Sequence, residues 1–175
     1  YALSFDNLKK RNKIEITNLF ILLEKYLGQN INFFLKNKIK LNFIGEKKNL
    51  PKNTKILLSK YNQLTNLKKN YNLIVNIAIN YSSRKEIISI FNNLKKKKLS
   101  FTIRNFDKNH YFKESGDPCL LIRTGMHKRL SDFFLWQISY TELFFVNKLW
   151  PDFKILDLKV IFKKFKKIKR NFGNI

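Results

Sequence analysis

Arg123, Arg129, Ser131 and Glu142 are the residues whose types and spacing could do chemistry in this 175-residue chain. Guanidinium groups stay charged and grip phosphate oxygens bidentately. A short apolar run, Leu120 to Ile122, precedes Arg123 and reads as a buried parallel strand that ends on Arg123-Thr124-Gly125. Ser131 reads as the N-cap of a helix that begins near Phe133 and runs to Gln137. The pattern therefore sets two guanidinium groups, a hydroxyl and a helix N-terminus at the carboxyl end of a strand. Open α/β sheets bind ligands at that end, and helix N-termini favour anions. Glu142 follows in Tyr140-Thr141-Glu142-Leu143. A carboxylate beside such a cluster repels an anion unless a cation lies between them, and hard divalent ions such as magnesium serve that purpose. The local chemistry implies a diphosphate held by arginines and bridged by a metal.

Alternating strands and helices must position these groups. Residues 1–5 read as a strand of aromatic and aliphatic residues. From Lys13 to Asn37 the apolar spacing is helical, with Ile16, Leu19, Phe20, Leu23, Leu27, Ile31 and Phe34 in one stripe. Ile39 to Ile44 reads as a strand closed by Gly45. Thr54 to Lys68 reads as a helix with Leu57, Tyr61 and Leu64 on one face. Leu73 to Ile79 is a nearly continuous apolar run suited to a central parallel strand. Ser83-Arg84-Lys85-Glu86 forms a capping box for a helix that buries Ile87, Ile90, Phe91 and Leu94. Residues 100–116 suggest a short strand and a short helix, and Leu158, Ile161, Phe162, Phe165 and Ile168 space out a C-terminal helix. The expectation is an α/β fold: an open, mostly parallel sheet with helices on both faces. No linker or repeat divides it, so residues 1–175 read as a single domain.

Composition bounds the function. The hydrophobic fraction, 44%, suits a folded protein. The formal net charge of +24 has two readings. One is a polyanionic partner: nucleic acid, anionic lipid or phosphorylated substrate. The other is the bias of an AT-rich genome, because lysine, asparagine, isoleucine and phenylalanine all dominate, and this accounts for most of the charge. The Lys95–Lys98 run reads as a solvated helix end, since cations favour a helix C-terminus and no aromatic platform flanks it for nucleic acid. Cys119, the single cysteine, excludes an internal disulfide and reads as a small apolar residue in a strand. No stretch approaches the roughly 18 apolar residues of a membrane span. His127 reads as an exposed loop residue, and His110 belongs to no constellation.

The order of motifs carries a resemblance. Leu121-Ile122-Arg123-Thr124-Gly125, Arg129-Leu130-Ser131-Asp132-Phe133, Leu135-Trp136-Gln137, Tyr140-Thr141-Glu142-Leu143 and Leu149-Trp150-Pro151-Asp152-Phe153 resemble the C-terminal half of cis-prenyltransferases of the undecaprenyl diphosphate synthase type. Tyr1-Ala2-Leu3-Ser4 and Asp6-Asn7-Leu8 resemble that family's strand and mobile substrate loop. Leu8 stands in place of the usual tryptophan. Asn80-Tyr81-Ser82-Ser83-Arg84 resembles Asn-Tyr-Gly-Gly-Arg, with both glycines replaced.

The resemblance implies repeated condensation of isopentenyl diphosphate onto a farnesyl-like allylic diphosphate. The product would be a long polyprenyl diphosphate, a lipid carrier for cell-wall sugars. It implies isopentenyl diphosphate bound by Arg123, Arg129 and Ser131, and the allylic substrate engaged by Ser4 and Asn7. It implies magnesium (Mg2+) at Glu142, and a product tunnel that includes Ala2 and Leu73. Asn7 also reads simply as a turn residue. Arg170-Asn171-Phe172-Gly173 resembles the family's basic tail, which reaches across a homodimer. A cytoplasmic enzyme is expected, with peripheral contact at the inner face of the membrane through its apolar product and no specific nucleic acid partner.

The family's Asp-Gly-Asn motif, which binds the allylic diphosphate and shares the metal, occurs nowhere in residues 1–175. The chain opens on Tyr1 inside a strand-like run, so an N-terminally truncated domain is expected. The alternatives are an inactive fragment or an accessory, non-catalytic subunit, and, last, a basic nucleic-acid-binding module.

Overall fold

The computed structural model describes residues 1–66 and 70–171, which fall into two compact units, Tyr1–Lys113 and Glu114–Ile175. In the first unit the chain runs through β1 (Leu3–Ser4), α1 (Phe5–Lys10), α2 (Lys13–Lys36), β2 (Ile39–Ile44), α3 (Lys52–Asn66), β3 (Leu73–Tyr81), α4 (Ser83–Lys96) and α5 (Ile103–Asp107). The apolar run that begins at Leu73 is the central strand. β3 pairs with β1 on one side and β2 on the other, parallel to both. In the second unit β4 (Leu120–Thr124) pairs with β5 (Glu142–Val146), again parallel, and α6 (Ile155–Phe165) follows a 3-10 turn at Trp150–Asp152. The α/β class with parallel strands is therefore as expected.

Strand alternation and the helix stripe meet in one core. Leu41 and Phe43 of β2, Val75, Ile77 and Ile79 of β3, and Leu3 of β1 share a face of the sheet by the period-2 rule. Phe20, Leu27 and Phe34 of α2 and Leu58 and Tyr61 of α3 cover that face. Leu27 and Tyr61 are each only 1% exposed. The Tyr61 hydroxyl donates to the Leu27 carbonyl, and the Thr54 hydroxyl donates to the Glu24 carboxylate, so polar bonds as well as packing join α2 to α3. Each apolar side chain of this size is worth about 1.5–3 kcal/mol when removed from water.

At the carboxyl ends of β2 and β3 the backbones touch. Gly45 has φ of 116°, and a Cβ there would stand 2.0 Å from the Ile79 carbonyl oxygen. Only glycine fits both constraints. Next to it, the Glu46 amide donates to the Asn80 carbonyl (3.1 Å), and the Asn80 side-chain amide donates back to the Glu46 carbonyl (2.8 Å).

Several expectations are corrected. The first strand is only Leu3–Ser4. From Phe5 onward the chain is helical, because Ser4 in extended conformation accepts the Asn7 amide and caps α1. The cap of α4 is Ser82, not Ser83: the Ser82 hydroxyl accepts the Lys85 amide. Ser83 is buried in the first turn, and Phe91, expected inside, is exposed. Residues 100–116 contain α5 and turns but no strand. The expected end of the third helix at Lys68 and the tail residues Phe172 and Gly173 lie outside the described residues. Cys119 is exposed just before β4, and Leu120 to Ile122 are half-buried rather than buried.

The two glycines of the first unit make opposite predictions for substitution by alanine. Gly28 sits in α2 with nothing within 4 Å of an added Cβ, so Gly28→Ala should raise stability by about 0.5–1 kcal/mol. Gly45→Ala should lower it by more than the 1–3 kcal/mol or so of backbone strain alone. Urea unfolding of the two variants beside the parent chain measures both signs.

Candidate active site

The predicted cluster forms within residues 120–131. β4 carries Arg123 to its carboxyl end, and the Arg123 guanidinium folds over the loop that follows. Its Nη1 donates to the Ser131 hydroxyl (2.9 Å) and to the Arg129 carbonyl. Arg129 and Ser131 are exposed, and Arg123 is half-buried. Burial and, after it, the positive charge of Arg129 pull the Arg123 pKa below the usual arginine value. Two like charges thus face the same solvent-open loop. The arrangement is electrostatically unfavourable by itself, and an anion placed between the two charges would relieve it.

The loop reaches this shape without the expected helix. Residues 125–141 cross between two parallel strands, a connection that usually carries a helix, but here they form turns. Ser131, Asp132 and Phe134 have φ of 52°, 59° and 52°, incompatible with a right-handed helix. Ser131 is therefore not an N-cap. Its hydroxyl serves Arg123 instead. Gly125, with φ of 97°, turns the chain out of β4, and its amide donates to the Lys148 carbonyl (2.7 Å). The Lys148 ammonium in turn pairs with Asp157 (2.6 Å) in the first turn of α6, where Asp157 also accepts the Lys154 amide (2.9 Å). The Arg-Thr-Gly corner is thereby tied to the helix that follows.

Glu142 opens β5 and is half-buried. It makes no ion pair among the described residues. In the parallel register it stands level with Leu120, whereas Arg123 is level with Phe145. Three residues along a strand is about 10 Å, and alternation puts the two side chains on opposite faces of the pair. The structure does not bring Glu142 to the guanidinium cluster. Among the described residues no group of three or more acidic, histidine or cysteine side chains could hold a metal ion. One free carboxylate still suits magnesium, which binds through one or two carboxylates together with substrate phosphates.

The remaining predicted residues lie in the first unit. Ser4 ends β1 and caps α1, and Asn7 sits in the first turns of α1, its amide bound to the Ser4 hydroxyl at 2.9 Å. The pair is therefore a helix start at the carboxyl end of a strand, not an open loop. Ala2 is exposed and its amide donates to the Ala78 carbonyl (2.9 Å). Leu73 opens β3 and is 52% exposed. His127 is exposed, as expected. His110 is buried: its Nδ1 accepts the Phe112 amide (3.0 Å) and its ring stacks on Phe106. Sequence reasoning missed the buried Glu86, which accepts from the Tyr81 hydroxyl (2.5 Å) and the Tyr111 amide (2.7 Å). Burial beside Glu86 raises the Tyr111 pKa, with desolvation the larger cause. A glutamate in a helix's first turn looks like an ordinary dipole partner, so no sequence signal separates it.

Comparison with known proteins gives the relatives of this chain. A family model described as "Putative undecaprenyl diphosphate synthase" matches residues 1–173. An isoprenyl transferase of Fusobacterium nucleatum is 35% identical over 176 aligned residues, covering 100% of this chain and 75% of its own length. The crystal structure of a probable undecaprenyl diphosphate synthase from Campylobacter jejuni aligns with a TM-score of 0.88 at 34% identity, over 99% of this chain and 81% of that one. Lavandulyl diphosphate synthase from Lavandula x intermedia, solved in complex with dimethylallyl diphosphate, aligns at 0.89 and 28% identity, over 99% of this chain and 77% of that one.

The Lys148–Asp157 tie has a pH signature. Its hydrogen bonds to Lys148 and to the Lys154 backbone hold the Asp157 carboxyl below the usual aspartate range. A depressed carboxyl contributes stability above its unfolded pKa, about 3.9, and loses it as pH falls through the lower folded value. Asp157→Asn should therefore be less stable than the parent at neutral pH, and the gap should close as pH falls below about 4. Thermal melts across that range, read on both proteins, supply the check.

Proposed function

This chain belongs to the undecaprenyl diphosphate synthase family of prenyl transferases, and from that premise we propose that it joins isopentenyl diphosphate to an allylic diphosphate in cis, repeatedly, as one domain. The observation that carries the proposal is the convergence of Arg123, Ser131 and the Arg129 charge at the end of β4. Two permanent positive charges gathered at a strand end suit the oxygens of a diphosphate. In this reading Arg123 and Arg129 bind the diphosphate of isopentenyl diphosphate and Ser131 holds Arg123 in its orientation.

The allylic substrate engages Ser4 and Asn7. Its carbon–oxygen bond breaks and the diphosphate leaves with the electron pair. The terminal alkene carbon of isopentenyl diphosphate bonds to the freed allylic carbon, and a proton is lost to give the cis double bond. Glu142 would contribute one ligand to magnesium, which supplies charge neutralisation on diphosphate oxygens when bound. Arginine serves the same end without a metal, since its charge is permanent. The products in this reading are long polyprenyl diphosphates for cell-wall sugar transfer, and an apolar route past Ala2 and Leu73 accepts the growing chain.

Two further features support the wider reading. Tyr140, Leu143, Leu149 and Trp150 are apolar and exposed in the second unit, which suits contact with a second copy in a homodimer. No helix among the described residues is long and apolar enough to cross a membrane. Residence in the cytoplasm, with the apolar product drawing the enzyme to the inner membrane face, follows from the proposed chemistry.

Arg123→Ala should raise the KM for isopentenyl diphosphate about 30-fold, the equivalent of roughly 2 kcal/mol for a lost charged hydrogen-bonding group, and leave the KM for farnesyl diphosphate within about twofold. Steady-state kinetics with labelled isopentenyl diphosphate decide it, and an unchanged KM removes Arg123 from the site. Turnover should also stop in EDTA and return with magnesium. Glu142→Gln should need several times more magnesium for half-maximal rate.

A further inference from the structure

Asn7 and Ser4 can act on a substrate only if α1 is held in place, and α1 is a helix of six residues. Isolated helices that short do not persist in water. Leu8 packs this helix against the hydrophobic core, while Phe5, at its start, is held by a polar and aromatic contact. The Lys85 ammonium, in the first turn of α4, lies 3.5 Å from the centre of the Phe5 ring at the start of α1. The same ammonium is bound to the Glu46 carboxylate at 2.7 Å. Glu46 is itself fixed by its two backbone bonds to Asn80 at the end of β3, behind the glycine that lets β2 and β3 meet. Lys9 covers Phe5 as well, at 4.5 Å.

We infer that the Glu46–Lys85–Phe5 stack is a positioning clamp that sets α1, and through it Asn7 and Ser4, for the allylic diphosphate. Glu46 and Lys85 touch no proposed substrate contact themselves, so they are positioning residues. The substrate half of the inference rests on the function proposed above. The clamp itself stands on distances within residues 5–85. Glu46 orients the ammonium, and a cation held at a ring face is attracted to it electrostatically. Surface ion pairs alone contribute little, and the pair here is two-fifths exposed on each side. It is the three-part stack, anchored to the Asn80 backbone, that gives one geometry. Neither the lysine nor the ring carries a sequence signal, because the two stand 80 residues apart.

The test compares Lys85→Met, Lys85→Arg and Glu46→Gln with the parent chain. Hydrogen exchange of the α1 amides reads the clamp directly. Lys85→Met should speed exchange across Phe5–Lys10 about fivefold, as expected from a contact of roughly 1 kcal/mol. Glu46→Gln should do the same in part, and Lys85→Arg should stay near the parent rate, since arginine keeps both the ion pair and the ring contact. Kinetics read the consequence: Lys85→Met should raise the KM for farnesyl diphosphate about fivefold, leave the KM for isopentenyl diphosphate unchanged, and be rescued by Lys85→Arg. Unaltered α1 exchange in Lys85→Met overturns the clamp. Faster exchange with an unaltered farnesyl diphosphate KM overturns its link to substrate. An equal rise in both KM values overturns it too, because that is general loosening. A parent chain with no response to farnesyl diphosphate overturns the functional reading and the substrate half together, while the exchange result still decides the clamp.

Discussion

The structure of the candidate site depends on holding like charges close together before any ligand is present. Arg123 and Arg129 repel, and the Arg123 pKa is lowered in consequence of burial and of that neighbour. What keeps the guanidinium in place is local: one hydrogen bond to the Ser131 hydroxyl, one to the Arg129 carbonyl. These acceptors are available because the loop backbone turns through left-handed conformations at Ser131, Asp132 and Phe134. Each such residue costs on the order of 1–3 kcal/mol. An anion held between the two guanidinium groups, as the proposed function requires, would relieve the repulsion, while the backbone strain stays with the loop.

That strained loop is also where sequence reading failed. Leu73 to Ile79 and Ile39 to Ile44 were legible as parallel strands because their apolar runs are long relative to any competing pattern, and α2 was legible over its whole length from one seven-residue stripe. Arg123, Arg129 and Ser131 were legible as a group by their spacing. The conformation that unites them was not. A serine followed by apolar residues looks like a capped helix, and nothing in Ser131-Asp132-Phe133-Phe134 announces three positive φ angles. The displaced cap of α4 has a similar origin: Ser82 and Ser83 are adjacent and chemically equal, and only the extended backbone of Ser82 decides between them. Contacts between distant residues, such as Lys85 on Phe5 or Tyr111 on Glu86, lie beyond any local pattern.

Charge composition has a structural consequence. With 12 acidic residues against 36 lysines and arginines, each carboxylate is scarce, and many stand at joints. Glu24 links α2 to α3, Glu46 links the sheet to α4, Glu86 joins β3 to the turn at Tyr111, and Asp157 ties α6 to the loop after β5. The excess of lysine on exposed helix faces is compatible with a solvated surface. These four acids serve the architecture. Glu142 differs from these four: half-buried and without an ion pair among the described residues, it is open to a cation.

The parallel register then constrains how such a cation could serve. Arg123 and Glu142 stand three residues apart along two paired strands, about 10 Å, and on opposite faces. That offset disfavours one phosphate being gripped by Arg123 and resting on a metal held by Glu142 at the same time. A two-substrate condensation removes the difficulty, because it brings two diphosphates. Under the function proposed above, one would be gripped by permanent guanidinium charge and retained; the other would depart, and a leaving group gains most from a neutralising ion. On that proposal the arginines would serve the substrate that keeps its diphosphate and Glu142 the one that loses it. The separation that the register imposes would then be a division of labour between the two ends of β4 and β5.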